Sequence, residues 1–546
     1  MTGDSLNDAL SWKAAHAGSP AAVEGFGREA PGHLNACQMI EANANLIGLS
    51  SADQGARMDF ITDRVAVGDA GEVENAEGLR RRRIGAVLSL ARFDHPPLAM
   101  PHAVIEIADR RALLGESISA ATAFIKTHVA AGRRVLVHCK AGISRSPALT
   151  LCYLHELEGY SIEEALARVK ARRPQADPHP TLLASIRAHY GQEVAPFVDV
   201  SSNENPYGPS PRVLSALVAA AATAHLYPDG PGDSLREALA QRLGVGTENI
   251  VLGNGSTEIL EMTARALLGP DSEAIIGWPS FPTYRAMARR AGAREVLVPL
   301  VDHDYDLDAI AARISENTGL IVLGNPNNPT GRVIGKAAMG RLLDRLPPHV
   351  VLCLDEAYCD YADRQDFPDS LEAVRSGRPL VVVRTFSKAF GLAGLRIGYA
   401  VAPPALARRI DSFRQRFNTS SIAQAAALAA LDDRDHVARS AALNVSAREK
   451  LCAGIAELGL AFVKNSEANF VMIDVGDGAA ITAELQKSGV RVKSLDAIGL
   501  PACIRVSVGT PEQNARLVET LAWLQRHVDA AAGVGRNLRA LEATSA

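Results

Sequence analysis

The strongest constraint on the fold is a series of apolar runs that alternate with segments of helical periodicity. Five such runs lie in the C-terminal part of the chain, namely NIVLGNG, EAIIGW, GLIVLGN, HVVLCLDE and LVVVRTFSK. Strands that are apolar along their whole length are typical of parallel sheets covered by helices on both faces. The sequence therefore predicts an α/β fold with a mostly parallel sheet. Beyond Ala423, the strands NFVMIDV and CIRVSVG between helical stretches predict a second, smaller α/β part.

A shorter α/β pattern precedes this one. RIGAVLSL (83–90) and RRVLVHC (133–139) are strand-like, and Ser161 stands three residues before Glu164 in a pattern that predicts a capped helix start. These patterns divide the 546 residues into an extension that is helical or partly disordered (1–57), a small α/β domain (58–190), a linker (191–198), a larger α/β domain (199–530) and a tail (531–546).

Composition excludes several classes of protein. The formal net charge of −4 argues against a nucleic-acid partner. The seven cysteines form no CxxC pair and have no His-rich neighbourhood, which argues against disulfides and against a metal site and favours a reducing compartment. The N-terminus lacks the features of a signal peptide, and no run approaches the ~18 apolar residues of a membrane span. We expect a cytoplasmic protein without a membrane partner.

The stretch HCKAGISRS (138–146) predicts a site for a phosphate ester. Its cysteine, Cys139, ends a strand, and a helix is expected to begin near Arg145. Backbone N–H groups at such a helix N-terminus favour an anion and a thiolate, and a guanidinium fits a tetrahedral phosphate. The alternative is a buried structural cysteine followed by an ordinary turn.

This stretch resembles the cysteine phosphatases of the dual-specificity and tyrosine class, whose signature is HCxxGxxRS. The resemblance covers roughly residues 58–190 and implies that Cys139 attacks phosphorus while Arg145 and the loop amides hold the phosphate oxygens. It further implies that Ser146 assists the departure of the thiolate and that an aspartate on an earlier loop protonates the leaving oxygen. Asp109 is the candidate for that general acid, and a carboxylate that merely solvates a loop is its alternative.

A second set of residues predicts a pyridoxal phosphate site. Lys388 follows a strand and could form a Schiff base, and Arg396 could bind an anionic group. Asp355 ends another strand, where a carboxylate could keep a pyridine nitrogen protonated. Two further features, Asn328 in a turn and the strand-to-helix turn GNGSTE (253–258), could bind the phenolic oxygen and the phosphate of the cofactor.

This half resembles the fold-type I aminotransferases, and specifically the histidinol-phosphate aminotransferase group, from about Asp199 to about Val528. The openings SSNENPYGPSP and LYPDGPGDSLREALA carry the resemblance together with the motifs above. The resemblance implies that Lys388 is the Schiff-base lysine and that Asp355 pairs with the pyridine nitrogen. It also implies that Tyr358 and Asn328 bond the phenolic oxygen and that Phe281 stacks on the ring. The residues that it implies for the cofactor phosphate are Ser256, Thr257, Ser387 and Arg396. The resemblance also implies an active homodimer in which Tyr227 reaches the cofactor of the neighbouring subunit. Tyr207 would approach the substrate, and Arg505 would bind the carboxylate of an amino donor such as glutamate.

One position departs from that group. Where the group has an arginine that helps to bind the substrate's phosphate, the segment GVRVKSLDAIG has Lys493, with Arg491 nearby. A lysine keeps the charge but not the planar fork, so another phosphorylated substrate or a plain amino substrate is an alternative. A solvated strand edge is the alternative for both side chains.

Three functions follow from the pairing of the two sites. The first is a bifunctional enzyme that transaminates a phosphorylated keto or amino compound and also hydrolyses its phosphate ester. The second is a decarboxylase of a phosphorylated amino acid, resembling threonine-phosphate decarboxylases, with the phosphatase acting on its product. The third is a phosphoprotein phosphatase or phosphate-binding regulatory module fused to an unrelated aminotransferase.

Overall fold

The structure, a computed structural model, describes residues 58–93, 97–108, 111–192, 197–362 and 365–532. The predicted extension (1–57), the general-acid candidate Asp109 and almost all of the predicted tail (531–546) therefore lie outside the described residues. Among the residues that are described, no helix has the length and apolar character needed to span a bilayer.

The N-terminal domain is a five-stranded sheet with helices on both faces. Its elements are β1 (Asp59–Phe60), β2 (Val65–Gly68), α1 (Ala70–Glu74), α2 (Ala76–Arg81), β3 (Ile84–Ser89), β4 (His102–Val104), α3 (Gly115–Ala130), β5 (Arg134–His138), α4 (Arg145–Glu158), α5 (Ile162–Arg172) and α6 (Pro180–His189). The strand order is β1-β2-β5-β3-β4, with only the β1–β2 pair antiparallel. In β5, Val135 and Val137 pack with α3 and α4, whereas Leu136 packs with α1 and α2. Burial on both faces explains why this strand is apolar throughout.

The predicted capping box at the start of α5 is present. Ser161 Oγ accepts from the backbone N–H of Glu164 at 3.2 Å, and a Glu164 carboxylate oxygen accepts from the backbone N–H of Ser161 at 2.9 Å. Two N–H groups that a helix start leaves without intrahelical partners are thereby satisfied.

The larger domain begins with β6 (Val198–Asp199) and contains an eight-stranded sheet. Its elements after β6 are α7 (Pro211–Ala221), α8 (Asp233–Leu243), β7 (Ile250–Gly253), α9 (Gly255–Leu267), β8 (Glu273–Trp278), α10 (Thr283–Arg290), β9 (Arg294–Val301), β10 (Asp304–Tyr305), α11 (Leu307–Ala312), β11 (Thr318–Gly324), α12 (Lys336–Arg345), β12 (Val351–Asp355), α13 (Ser370–Arg375), β13 (Leu380–Thr385), β14 (Gly398–Val401), α14 (Pro404–Asp411) and α15 (Ser421–Leu431). The order is β10-β9-β8-β11-β12-β13-β14-β7, and only β10 and β14 run against the others. The mostly parallel sheet predicted from the apolar runs is confirmed.

A smaller α/β part completes the chain. It consists of α16 (Arg434–Glu457), β15 (Phe470–Asp474), α17 (Gly478–Lys487), β16 (Val490–Arg491), β17 (Lys493–Ser494), β18 (Cys503–Ser507) and α18 (Pro511–Ala532). Strands β15, β18 and β17 form an antiparallel sheet, and β16 pairs in parallel with β6. Val198, which we predicted to end the linker, is therefore in a strand and packs in the core of this part. The exact domain boundaries remain predictions.

Candidate active sites

The first candidate site is the loop between β5 and α4. Cys139 is buried there, and its Sγ lies 3.2 Å from Ser146 Oγ. Arg145 donates from Nη1 to the carbonyl of Ile107 at 3.2 Å. Ile107 lies two residues before Asp109, so the guanidinium contacts the segment on which the general acid was predicted. A thiol and a hydroxyl are thus in contact at the start of a helix whose first residue is Arg145, and a helix N-terminus favours an anion.

Two buried side chains that sequence reasoning missed hold this loop in place. Arg173, only 2% exposed, donates from Nε to the carbonyl of Gly142 at 2.7 Å and from Nη1 to Asp59 at 2.6 Å. Ser89 Oγ lies 2.5 Å from Nε2 of His138, the residue before Cys139. Arg173 stands in an ordinary helix-ending sequence, ARRP, so no local signal could have identified it.

Replacing Gly142 with alanine tests this support. Gly142 has a φ of +67°, and a Cβ there would collide with the Arg173 guanidinium and lie 2.7 Å from the carbonyl oxygen of Gly68. Gly132 has a similar φ of +75° but no atom within 4 Å of the added carbon. We expect Gly132→Ala to cost only the backbone strain, about 1–2 kcal/mol of unfolding free energy. Gly142→Ala should cost more in urea denaturation and should also lower hydrolysis of an aryl phosphate; equal effects would contradict the expectation.

The second candidate site is a cavity of about 350 Å³ where several parallel strands of the larger sheet end. Ten of the predicted site residues line it: Ser256, Thr257, Phe281, Asn328, Asp355, Tyr358, Ser387, Lys388, Arg396 and Arg505. Parallel strands present their carboxyl ends at one edge of a sheet, which explains how residues far apart in sequence meet in one crevice.

Lys388 lines the cavity and makes polar contacts with the backbone there. Its Nζ donates to the carbonyls of Ser202 and Asn203 at 3.2 and 3.1 Å and lies 5.5 Å from the centre of the Tyr358 ring. Asn203, only 1% exposed and with a φ of +56°, also donates from Nδ2 to the Tyr358 hydroxyl at 2.9 Å. The sequence motif SSNENPYG contains Asn203, but its contact with Tyr358 is made only by the fold.

Asp355 is buried at one end of the cavity. Its carboxylate accepts from the Tyr284 hydroxyl at 2.9 Å and from the backbone N–H of Ala357 at 3.1 Å. Burial raises the pKa of Asp355 to about 6, and the contact with Tyr284 and the charge of Lys388 offset this only in part. Tyr284 was not predicted to take part in the site.

The residues predicted to hold the cofactor phosphate lie together in another part of the same cavity. Ser256 and Thr257 lie in the first turn of α9, and Arg396 donates from Nη1 to Ser387 Oγ at 3.3 Å. A Cβ on Gly255, the first residue of α9, would collide with the Arg396 guanidinium. Glycine at this position therefore lets a cation approach the helix N-terminus, an arrangement that suits a phosphate group.

Arg505 lines the cavity from β18. It donates to Asn328 Oδ1 at 2.7 Å and to the carbonyl of Ser201 at 2.6 Å. Lys493 on β17 is its cross-strand partner, and directly opposite residues of an antiparallel pair project to the same face. Arg491, by contrast, binds Asp199 at 2.9 Å and stacks on Phe197. These contacts fit the alternative interpretation, in which Arg491 is a side chain on a solvated strand edge.

Lys493 does not line the cavity, and neither do the two remaining predicted residues, Tyr207 and Tyr227. Tyr207 lines a separate cleft together with Leu443 and Val518. Tyr227 is 82% exposed and stacks on Phe417 with ring centres 4.7 Å apart. Within one chain neither side chain contributes to the cavity, and their predicted roles at the substrate and in a neighbouring subunit remain predictions.

Comparison with known proteins decides the family of the larger domain. The model of the family described as aminotransferase class I and II matches residues 195–521, which is more than half of the chain. The chain belongs to the class I and II aminotransferases. A second family model, dual specificity phosphatase, catalytic domain, matches residues 84–192. The protein is therefore an aminotransferase that also carries a dual specificity phosphatase domain.

Individual relatives of this aminotransferase agree with the family match. A histidinol-phosphate aminotransferase of Geobacillus thermodenitrificans is 41% identical over 63% of this chain and 94% of its own length. Histidinol-phosphate aminotransferase 2 of Ralstonia nicotianae is 43% identical over 64% of this chain and 94% of its own length. Among solved structures, the histidinol-phosphate aminotransferase of Sinorhizobium meliloti in complex with pyridoxal 5′-phosphate is 31% identical, with a TM-score of 0.58 over 63% of this chain and 94% of that one.

Pyridoxal 5′-phosphate is the cofactor of this aminotransferase, and the cavity fits it. The buried Asp355 carboxylate would be compensated by a protonated ring nitrogen, and the first turn of α9 with Arg396 would hold the phosphate. Tyr358, Asn328 and Phe281 line the same cavity, and their predicted contacts with the phenolic oxygen and the ring remain predictions. Lys388 also lines the cavity and would hold the cofactor through its amine.

Replacing Asp355 with asparagine in the cofactor-free aminotransferase should reveal the cost of this buried charge. The folded pKa is about 6, whereas the ordinary value is 3.8, so between these pH values the folded chain holds a proton that the unfolded chain has released. Stability should therefore fall as pH rises through this window. We expect the variant to be more stable than the wild type at pH 7, by about 2–3 kcal/mol, and the difference to vanish below pH 4. Thermal unfolding at several pH values checks this; a difference independent of pH would contradict it.

Proposed function

We propose that the protein transaminates a phosphorylated keto or amino compound similar to histidinol phosphate and also hydrolyses its phosphate ester. The observation that carries the proposal is the contact between Cys139 and Ser146 at the start of α4, in a chain whose other domain is similar to aminotransferases named for a phosphorylated substrate. The product of the combined reactions is an amine or amino acid with a free hydroxyl group.

At the aminotransferase site, pyridoxal 5′-phosphate, when bound, acts as an electron sink for the bond that breaks at the substrate's α-carbon. The chain's own residues bind, orient and move protons. Arg505 receives the carboxylate of the amino donor through a planar pair of N–H donors, and Lys493, its cross-strand partner, offers a positive charge to the phosphate of the phosphorylated substrate. Lys388, in contact with Asn203 and near Tyr358, carries the proton between the α-carbon and the cofactor. Glutamate and 2-oxoglutarate fit as the amino donor and its product.

At the phosphatase site, Cys139 Sγ attacks phosphorus, forming the S–P bond as the bond to the ester oxygen breaks. The leaving oxygen takes a proton from Asp109, and water then cleaves the S–P bond to release inorganic phosphate. Arg145 and the N–H groups of the loop stabilise the charge on the equatorial oxygens. Ser146 donates a hydrogen bond to the thiolate as it leaves, which its 3.2 Å distance from Cys139 Sγ permits.

The proposal includes a homodimer in which Tyr227 serves the neighbouring site. The side chain is 82% exposed, and its neighbour Leu226 and two residues of α7, Val218 and Leu214, are also exposed and apolar. An apolar surface of this kind suits a contact between two copies of the chain.

A substrate panel tests the proposal. The full chain with cofactor would be incubated with histidinol phosphate and other phosphorylated amino alcohols plus 2-oxoglutarate, with phosphothreonine alone, and with a phosphotyrosine peptide. Formation of glutamate together with phosphate release from the same phosphorylated amine supports the proposal. Carbon dioxide from phosphothreonine without a 2-oxo acid would replace it with the decarboxylase alternative, and phosphate release from the peptide alone would favour a phosphoprotein phosphatase.

A further inference from the structure

A short segment of the phosphatase domain, Asp177–His179, contacts both the aminotransferase domain and the loop between β5 and α4. This loop is called the phosphate-binding loop below. On the loop side, the backbone N–H of Asp177 donates to the carbonyl of Ile143 at 2.8 Å. The backbone N–H of His179 donates to Ser144 Oγ at 3.0 Å. Ile143 and Ser144 are the two residues that precede Arg145, so this segment fixes the part of the loop that leads into the phosphate-binding guanidinium.

The other side of the segment is covered by the small α/β part of the aminotransferase. His179 Nε2 lies 3.1 Å from Ser488 Oγ, and its ring meets the edge of the Trp523 ring at 85° with centres 4.3 Å apart. His179 is fully buried, and Ser488 and Trp523 are 2% and 5% exposed. The next helix turn adds a bond from Thr181 Oγ1 to the carbonyl of Lys487 at 2.9 Å.

The hydrogen bonds of His179 define the direction of this contact. Its Nδ1 accepts from the backbone N–H of Thr181 at 3.2 Å and so caps α6, which leaves Nε2 as the donor to Ser488 Oγ. Ser488 Oγ in turn donates to the carbonyl of Glu484 in α17 at 3.0 Å. The two hydrogen bonds of the His179 backbone and ring therefore connect the loop between β5 and α4 with α17, the helix that β16 and then β17, the strand bearing Lys493, follow.

From these contacts we infer that the aminotransferase domain holds the phosphatase loop in its active geometry, and that His179 is the positioning residue through which it does so. The inference rests on the proposed phosphatase role of the Cys139 loop. Its physical basis is that loop N–H groups stabilise a transition state only when they are held in place, and small displacements lower the rate strongly. The phosphatase domain is thus adapted to its partner domain and is not an independent module attached by a linker.

Substitutions on the aminotransferase side test the inference, because they leave the phosphatase sequence intact. In the full chain with cofactor, Ser488→Ala and Trp523→Ala should each lower kcat for p-nitrophenyl phosphate about tenfold, the effect of one lost positioning contact. Ser488→Thr and Trp523→Phe keep the hydroxyl and an aromatic ring and should restore most of the rate. Lys487→Ala is the matched control, because it removes an exposed side chain paired with Glu484 but keeps the carbonyl that Thr181 binds.

Two further measurements distinguish positioning from loss of fold and from failure of the proposed function. The cofactor absorbance and the thermal unfolding midpoint of Ser488→Ala should match the wild type, while its affinity for tungstate, measured by calorimetry, falls together with kcat. A wild-type chain that neither hydrolyses p-nitrophenyl phosphate nor binds tungstate would overturn both the proposed phosphatase and this inference. A wild type that does both, with Ser488→Ala and Trp523→Ala indistinguishable from it, would overturn the inference alone. A reduced rate that the conservative variants do not restore would also overturn it.

Discussion

Replacing Cys139 with serine should abolish phosphate release and leave transamination unchanged. A serine hydroxyl at this position is a far weaker nucleophile than a thiolate, so we expect the rate of phosphate release to fall by at least about a thousandfold. The measurement is inorganic phosphate released from an aryl phosphate and from the phosphorylated transamination product. Glutamate formation in the same samples reports the second site.

Cys152→Ser provides a matched control for this change. Cys152 lies in α4, the helix that follows the phosphate-binding loop, and its thiol donates to the carbonyl of Ala148 at 3.5 Å. Burial raises the pKa of Cys152 to about 12, so it is a structural thiol and not a second nucleophile. The control variant should release phosphate at close to the wild-type rate. Comparable phosphate release by Cys139→Ser and wild type would rule out the phosphocysteine route.

Replacing Lys388 with alanine should have the converse effect. Transamination should fall by about 10⁴-fold or more, because the variant loses the amine that holds the cofactor and carries the proton. The visible absorbance of the lysine-bound cofactor should disappear, while phosphate release from p-nitrophenyl phosphate stays within about twofold of wild type.

Lys388→Arg tests whether a positive charge at this position is sufficient for transamination or whether the amine itself is needed. Arginine retains a positive charge near the carbonyls of Ser202 and Asn203, but its guanidinium remains protonated in proteins. We expect this variant to be nearly as inactive in transamination as the alanine variant. Substantial activity in the arginine variant would show that Lys388 acts only through its charge and that the proton is carried elsewhere.

Much of the architecture was predictable because it depends on local patterns. The run LIVL within GLIVLGN is apolar at every position, and in the structure β11 is buried on both faces, with Ile321 and Val322 in different core clusters. The capping box at Ser161 is equally local, since its partners are three residues apart. The family matches confirm the phosphatase and aminotransferase folds predicted from the two motif sets.

The residues that sequence reasoning missed act through contacts between distant parts of the chain. Arg173 acts on Gly142 and Asp59, Tyr284 on Asp355, and Asn203 on both Tyr358 and Lys388, all across large separations in sequence. None of them stands in a motif whose residue types alone indicate the contact. Tyr207 lines a separate cleft within one chain, and its predicted place near the substrate remains a prediction.

The sequence by itself determined which elements form and which reactive groups stand at strand ends, because hydrophobic periodicity and turn chemistry act over a few residues. The tertiary structure alone decided what surrounds those groups. Burial of Asp355 sets its raised pKa, Arg173 fixes the phosphate loop, and the packing of His179 against Ser488 and Trp523 joins the two domains. These effects arise from desolvation and from contacts between distant segments, which exist only once the chain has folded.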